Sequence, residues 1–210
     1  MLIPLGMAWS RRAYLSGGLR PLAILPAFLF ISYWLAQLGI YLWRNNLPII
    51  HLITICETII YIQVFHKELT SPKTRKAIKW LLLSFICFAL ADSFVLEGFK
   101  QINSYTNLAE SIIVSGLILA YIEELIFDKK VSNLFDTPIF VASTGILLYL
   151  AGTVMIFLFS NHLIKTNDEF NARIIYLISS FLVFILAMLL TRAFYLVKAP
   201  ATKPQAKQWL

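Results

Sequence analysis

The chain has 210 residues, of which 59% are hydrophobic and 14% charged, and 18 Lys and Arg against 11 Asp and Glu give a formal charge of +7. A soluble domain carries about 25% charged residues and about 45–50% apolar ones, so the composition excludes an ordinary soluble enzyme. The positive charge falls in alternate connections between apolar blocks, which is how membrane topology distributes Lys and Arg, and this excludes nucleic acid as the partner.

A helix that spans a bilayer needs about 20 apolar residues at 1.5 Å rise each. Six blocks of that length use nearly all of the sequence. The expected fold class is therefore all-α, a polytopic membrane helix bundle of six transmembrane helices. Residues 1–20 read as a cytoplasmic or interfacial N-terminal segment. Its Ser10-Arg11-Arg12-Ala13-Tyr14-Leu15 is similar to a twin-arginine export signal. The apolar block behind it is too long, though, and lacks a small-residue cleavage site, so the arginines read as cytoplasmic anchors.

The six-helix transmembrane domain is expected over residues 21–197. The first span, 21–43, has no charge and ends on Tyr41 and Trp43, rings suited to an interface. Arg44-Asn45-Asn46 makes a tight connection, and Pro48 suits the first turn of the second span, 47–65. A basic loop with Lys67, Lys73, Arg75, Lys76 and Lys79 precedes the third span, 78–99. A polar turn leads to the fourth, 108–127, closed by Asp128-Lys129-Lys130. The fifth, 138–160, is uncharged, and the sixth, 174–197, carries Arg192 near its end. Residues 198–210, with Pro200, Pro204 and three lysines, read as a basic, disordered cytoplasmic tail.

Fourteen Lys and Arg fall on the side of the two termini and four on the other side. The positive-inside rule then places both termini in the cytoplasm, and an even number of spans requires the same agreement. The expected location is a bacterial inner membrane, with the lipid bilayer as partner and a protein partner or a second copy as a further possibility. Cys56 and Cys87 lie inside apolar blocks and read as buried thiols packing as small apolar groups. Ser111 with Ser115, Gly116 with Ala120, and Gly145 and Gly152 read as close helix packing.

Ionisable groups inside a span cost roughly 2.5–3.5 kcal/mol each at its centre, so they face the bundle interior or a cavity. From the assigned orientation, His51 lies about 6 Å, Asp92 about 11 Å and Glu57 about 15 Å from the outer surface, with Glu97 and Glu110 about 3–4 Å deep. His51, Thr54, Thr58 and Tyr61 share one helical face with Glu57 at its margin, and Glu110, Tyr121 and Glu124 share another. On a regular helix Asp92 and Glu97 point about 140° apart. Consecutive helices with short loops pack as neighbours by default. The expected site is therefore a polar pocket opening outward between spans two, three and four, with Glu57 and Asp92 at its floor and His51, Glu97 and Glu110 nearer its mouth.

Such a pocket suits a sensor, ligand-binding module or accessory subunit. It also suits a proton- or cation-coupled transport element, since buried paired carboxylates hold a proton. A third use is a membrane-embedded hydrolase or transferase acting on a lipid, with a divalent metal such as Zn²⁺ or Mn²⁺ held by His51, Glu57 and Asp92. The spacing of His51 and Glu57 matches no metal motif, and no phosphate loop, nucleophile elbow, dinucleotide fingerprint or lipidation site is present.

The run Asn46-Leu47-Pro48-Ile49-Ile50-His51-Leu52 with Glu57, Asn103-Ser104-Tyr105 followed by Glu110-Ser111, and Ser143-Thr144-Gly145-Ile146-Leu147-Leu148-Tyr149 with Ser160-Asn161 together resemble a group of small polytopic membrane proteins of Bacteroidetes-type bacteria. The resemblance covers most of residues 45–161. It implies a membrane fold and no particular activity, and it adds Asn103 and Tyr105 to the pocket-lining candidates.

Overall fold

The structure, a computed structural model, describes residues 1–127, 133–166 and 169–197. Among them the chain forms eight α-helices and no strand: α1 (Leu2–Ser10), α2 (Leu19–Leu22), α3 (Leu25–Trp43), α4 (Leu47–Glu68), α5 (Pro72–Ala91), α6 (Ser104–Phe127), α7 (Pro138–Thr166) and α8 (Glu169–Tyr195). Five segments are long and apolar enough to cross a membrane: Leu19–Trp43, Leu47–Glu68, Pro72–Leu96, Pro138–Ser160 and Phe170–Tyr195. The chain is thus all-helical, with the makings of a multi-pass membrane protein. Large apolar side chains cover its outside, among them Tyr33, Trp34, Phe94, Phe181 and Phe184. In water such a surface would aggregate, and in hydrocarbon it is the matched one.

Local signals explain most boundaries. Arg44 closes α3 in the left-handed conformation (φ 52°), and the Asn45 side chain accepts from the Leu47 amide at 2.9 Å, so three residues reverse the chain into α4. Pro48 sits in the first turn of α4, where its missing N–H costs nothing. The third span starts earlier than expected. Ser71 caps α5 by accepting from the Thr74 amide, and Pro72 opens the helix. Lys73, Arg75, Lys76 and Lys79 therefore lie on its first turns rather than in a loop. The first span is interrupted between α2 and α3, and α1 lies against α8 and α3.

The most extensive helix pairing is α7 with α8. At Gly145 an added Cβ would meet Leu189 at 3.0 Å, and Gly152 is overlain by Leu182, so both glycines serve close packing. Gly116 does not, since a Cβ there meets nothing within 4 Å and the residue is exposed. Cys87 is exposed and Cys56 only partly buried, so the expectation of two buried thiols fails. Helix α6 is the central element, packing on α4 at one side and α7 at the other, while α5 packs beside α4. Asp128, Lys129, Lys130 and the tail 198–210 lie outside the described residues.

Candidate functional site

Helices α3 and α4 meet closely at Gly39, where an added Cβ would come 2.6 Å from the Ile49 side chain. Toward the other end of α4, the segment before α2 presses on it at Gly18, where a Cβ would come 2.7 Å from the Val64 carbonyl. Between these contacts lies a cavity of about 220 Å³, walled by α3, α4, α6 and α7. Leu29, Ser32, Tyr33 and Ala36 come from α3, and Leu150, Phe157 and their neighbours from α7. Thr54 and Glu57 on α4, with Asn107 and Glu110 on α6, supply its polar surface, joined by Tyr149 and Thr153 of α7. Among the described residues no Lys or Arg lines it.

Glu57 and Glu110 are 5% and 2% exposed, close enough to each other and to Tyr149 to interact electrostatically. The Tyr61 hydroxyl donates to Glu57 Oε1 at 2.6 Å. Glu110 shares a hydrogen bond with Thr58, and its Oε1 is buried without a partner. Above the carboxyl pair, Asn103 Nδ2 donates to Thr54 Oγ1 at 2.8 Å, and Asn107 Nδ2 reaches Asn103 O at 3.2 Å. Below it the bundle is filled by Tyr61, Phe65, Ile118 and Tyr121, each at most 1% exposed. Phe65 and Tyr121 pack ring against ring at 6.1 Å between centroids.

The nine residues expected to line one pocket thus divide. Thr54, Glu57 and Glu110 line the cavity, with Tyr61 and Asn103 bonded directly behind it. His51 forms a separate buried cluster: Nε2 faces the Gln101 carbonyl at 3.2 Å and Nδ1 the Ser93 hydroxyl at 2.8 Å. A carbonyl only accepts, so Nε2 is the donor in the first of these bonds. Asp92 Oδ2 accepts from the Thr106 hydroxyl at 2.6 Å and the Thr106 amide at 3.3 Å, while Oδ1 is buried without a partner. Tyr105 turns its side chain outward, 51% exposed, and offers its amide to Glu97 Oε2 at 3.2 Å.

Asp92 and Glu97 are also closer in orientation than a regular helix allows. Residues Asp92–Leu96 form a π turn in which the Glu97 amide donates to Asp92 O at 3.1 Å, and the wider turn brings the two carboxyls toward one side. Glu97 lies just past the last residue of that apolar segment. Burial raises its carboxyl above the usual range against the pull of the Tyr105 amide, and the neighbouring Asp92 charge adds to the rise.

The three residues expected from sequence to hold a metal each have another partner. His51, Glu57 and Asp92 are engaged by Ser93, Tyr61 and Thr106 respectively. Among the described residues no group of three His, Cys, Asp or Glu side chains could hold a metal ion. The third span contributes nothing to the cavity, and the first and fifth take its place.

Sequence reasoning missed Asn107, Tyr149 and Thr153. Asn103, Asn107 and Glu110 follow a spacing of four and three along α6, so the helical period could have joined them. Tyr149 and Thr153 share the same four-residue spacing on an otherwise apolar helix. Compared with known proteins, the chain matches no family model, no curated protein and no solved structure.

Proposed function

We propose that the chain is a six-span protein of a bacterial inner membrane, with both termini cytoplasmic, that acts as a binding or sensing module. Its cavity takes a small ligand that brings one positive charge to Glu57 and Glu110. Helix α6 is the sixth span: it has 24 residues, follows one apolar segment and precedes another, and exposes Ile112, Leu119, Ile126 and Phe127 on its outside. The bias of fourteen positive residues against four supports the cytoplasmic placement of the termini.

The observation that carries the ligand is a pair of buried carboxyls on one small cavity with no cation among its described lining residues. Two ionised carboxyls cannot share so apolar a site unless a cation or a proton compensates them. A cationic ligand held between Glu57 and Glu110 supplies that compensation. The apolar rest of the wall suits a ligand with an organic body.

The filled bundle below the cavity favours binding over conduction. A transport path needs a polar route onward from Glu57, and Tyr61, Phe65, Ile118 and Tyr121 occupy that space.

Thermal unfolding of the purified chain with benzylammonium and with benzyl alcohol, molecules of similar shape, tests the reading. A stabilisation specific to benzylammonium and abolished by Glu57→Gln supports it. Equal responses to the two compounds, or a response that survives in the variant, sink it.

A further inference from the structure

A second concave site lies where α4 ends and α5 begins. Gly17, Arg20, His66, Lys67 and Arg75 line a pocket of about 410 Å³, and among the described residues no carboxylate is part of that lining. That volume falls within the roughly 300–1,000 Å³ of small-ligand sites. The basic groups come from two separate stretches of chain, which a run of charges in one solvated loop would not explain.

Two backbone bonds fix the arginines. Arg20 Nε donates to Leu15 O at 3.0 Å, and Arg75 Nε to Leu69 O at 2.7 Å. A guanidinium has five N–H donors, so each keeps four after that bond. Glu68, the acid nearest in sequence, directs Oε1 to the Gly18 amide at 2.7 Å.

Glycines make the approach possible. Gly17 has φ +54°, and an added Cβ would come 2.6 Å from Glu68 Oε1. Because neither Gly17 nor Gly18 has a side chain, the segment before α2 docks directly on Glu68 and the Val64 carbonyl of α4, and Arg20 is carried to the pocket. Capping of α4 explains one donor of Arg75 and the placement of His66 and Lys67 in its last turn. It does not explain Arg20.

We propose that this pocket binds a phosphate ester, that of an anionic phospholipid headgroup. Arginine forks match phosphate oxygens in pairs of parallel hydrogen bonds. The pocket sits at the ends of two apolar segments, Leu47–Glu68 and Pro72–Leu96, which is the level of the headgroups in a bilayer. Its ligand is thus an anion, in contrast to that of the carboxyl cavity, and the two sites stand or fall separately.

The test is thermal unfolding of the full chain in neutral detergent, at constant ionic strength, with dioctanoyl phosphatidylglycerol, dioctanoyl phosphatidylcholine or sodium phosphate. Phosphatidylglycerol raises the midpoint at concentrations where phosphatidylcholine does not. The double variant Arg20→Gln/Arg75→Gln raises the half-saturating concentration more than about tenfold, since each basic group at a membrane surface contributes about fivefold. Lys67→Gln leaves both backbone bonds in place and weakens binding about fivefold, which keeps the test decisive if the double variant does not fold. A matching response to sodium phosphate, lost in the same variants, supports the phosphate site and assigns it to a soluble phosphate instead of a lipid. No selective response to either anion, or one unchanged in the variants, overturns the proposal.

Discussion

The Tyr61 hydroxyl donates to Glu57 Oε1 across 2.6 Å, one turn along α4, and both side chains are buried. Four residues of helix bring donor and acceptor onto one face, so the bond needs no tertiary contact to aim it. Tyr61→Phe keeps the ring in the packed layer and removes only the donor. Losing a hydrogen bond to a buried acceptor costs about 1–3 kcal/mol. Chemical denaturation of the variant in mixed micelles measures it. A cost below about 0.5 kcal/mol would show that Glu57 is solvated from the cavity instead.

Thr54 is the point on which Asn103 and Asn107 converge, accepting at 2.8 and 3.4 Å. Thr54→Val preserves shape and leaves an Asn103 amide, itself fully buried, without its acceptor. The expected loss is about 1–3 kcal/mol. Paired with Asn103→Leu, the double variant loses less than the sum of the singles, because the second change removes the group that the first left unpaired. Strict additivity would contradict the bond.

Much of the fold was legible because spanning helices announce themselves by length and lack of charge, as the uncharged stretch opening at Pro138 does. Individual buried polar groups were legible too, since a carboxyl at Glu57 or Glu110 has no other reason to sit among apolar residues. Their grouping was not. Chain adjacency suggested that α5 would close the pocket, but α6 packs between α4 and α7, and α3 bounds the open side. No pattern within one helix reports which non-adjacent helix faces it. The π turn at Asp92 was equally hidden, because a one-residue widening leaves no signature in hydropathy.

His51 separates structural from binding roles. It joins α4 to Ser93 and Gln101 and does not line the cavity. His51→Ala is expected to cost about 2–4 kcal/mol, from the lost ring packing against Phe99 (5.4 Å between centroids) and the unpaired groups left behind. Benzylammonium affinity should stay within about twofold of the parent, an energy difference below about 0.5 kcal/mol. A tenfold loss of affinity with unchanged stability would move His51 into the binding site.

Gly152 lies under Leu182 where α7 and α8 pack most closely. Gly152→Val places branched carbons in that contact and destabilises by about 1–3 kcal/mol through overpacking. Leu182→Ala opens the same space and should recover most of the loss when combined with it. Failure of that rescue, seen as two independent costs in the unfolding midpoint, would mean that the helices are not in contact there.

Membrane crossing by α6 can be decided by labelling from one side. Its two ends are marked by Gln101, in the turn before it, and Asn133, in the connection after it. In a chain with Cys56 and Cys87 replaced by Ser, a cysteine at position 101 should react with a membrane-impermeant maleimide in intact spheroplasts. One at position 133 should react only after lysis. Glu110 and Glu124 do not oppose crossing: Glu110 faces the interior cavity, and Glu124 accepts from the Thr70 amide at 3.0 Å near the C-terminal end of the helix. A cysteine at position 73, among the basic first turns of α5, serves as the inner control. If positions 101 and 133 label alike, α6 does not span, the chain crosses five times, and its termini lie on opposite sides.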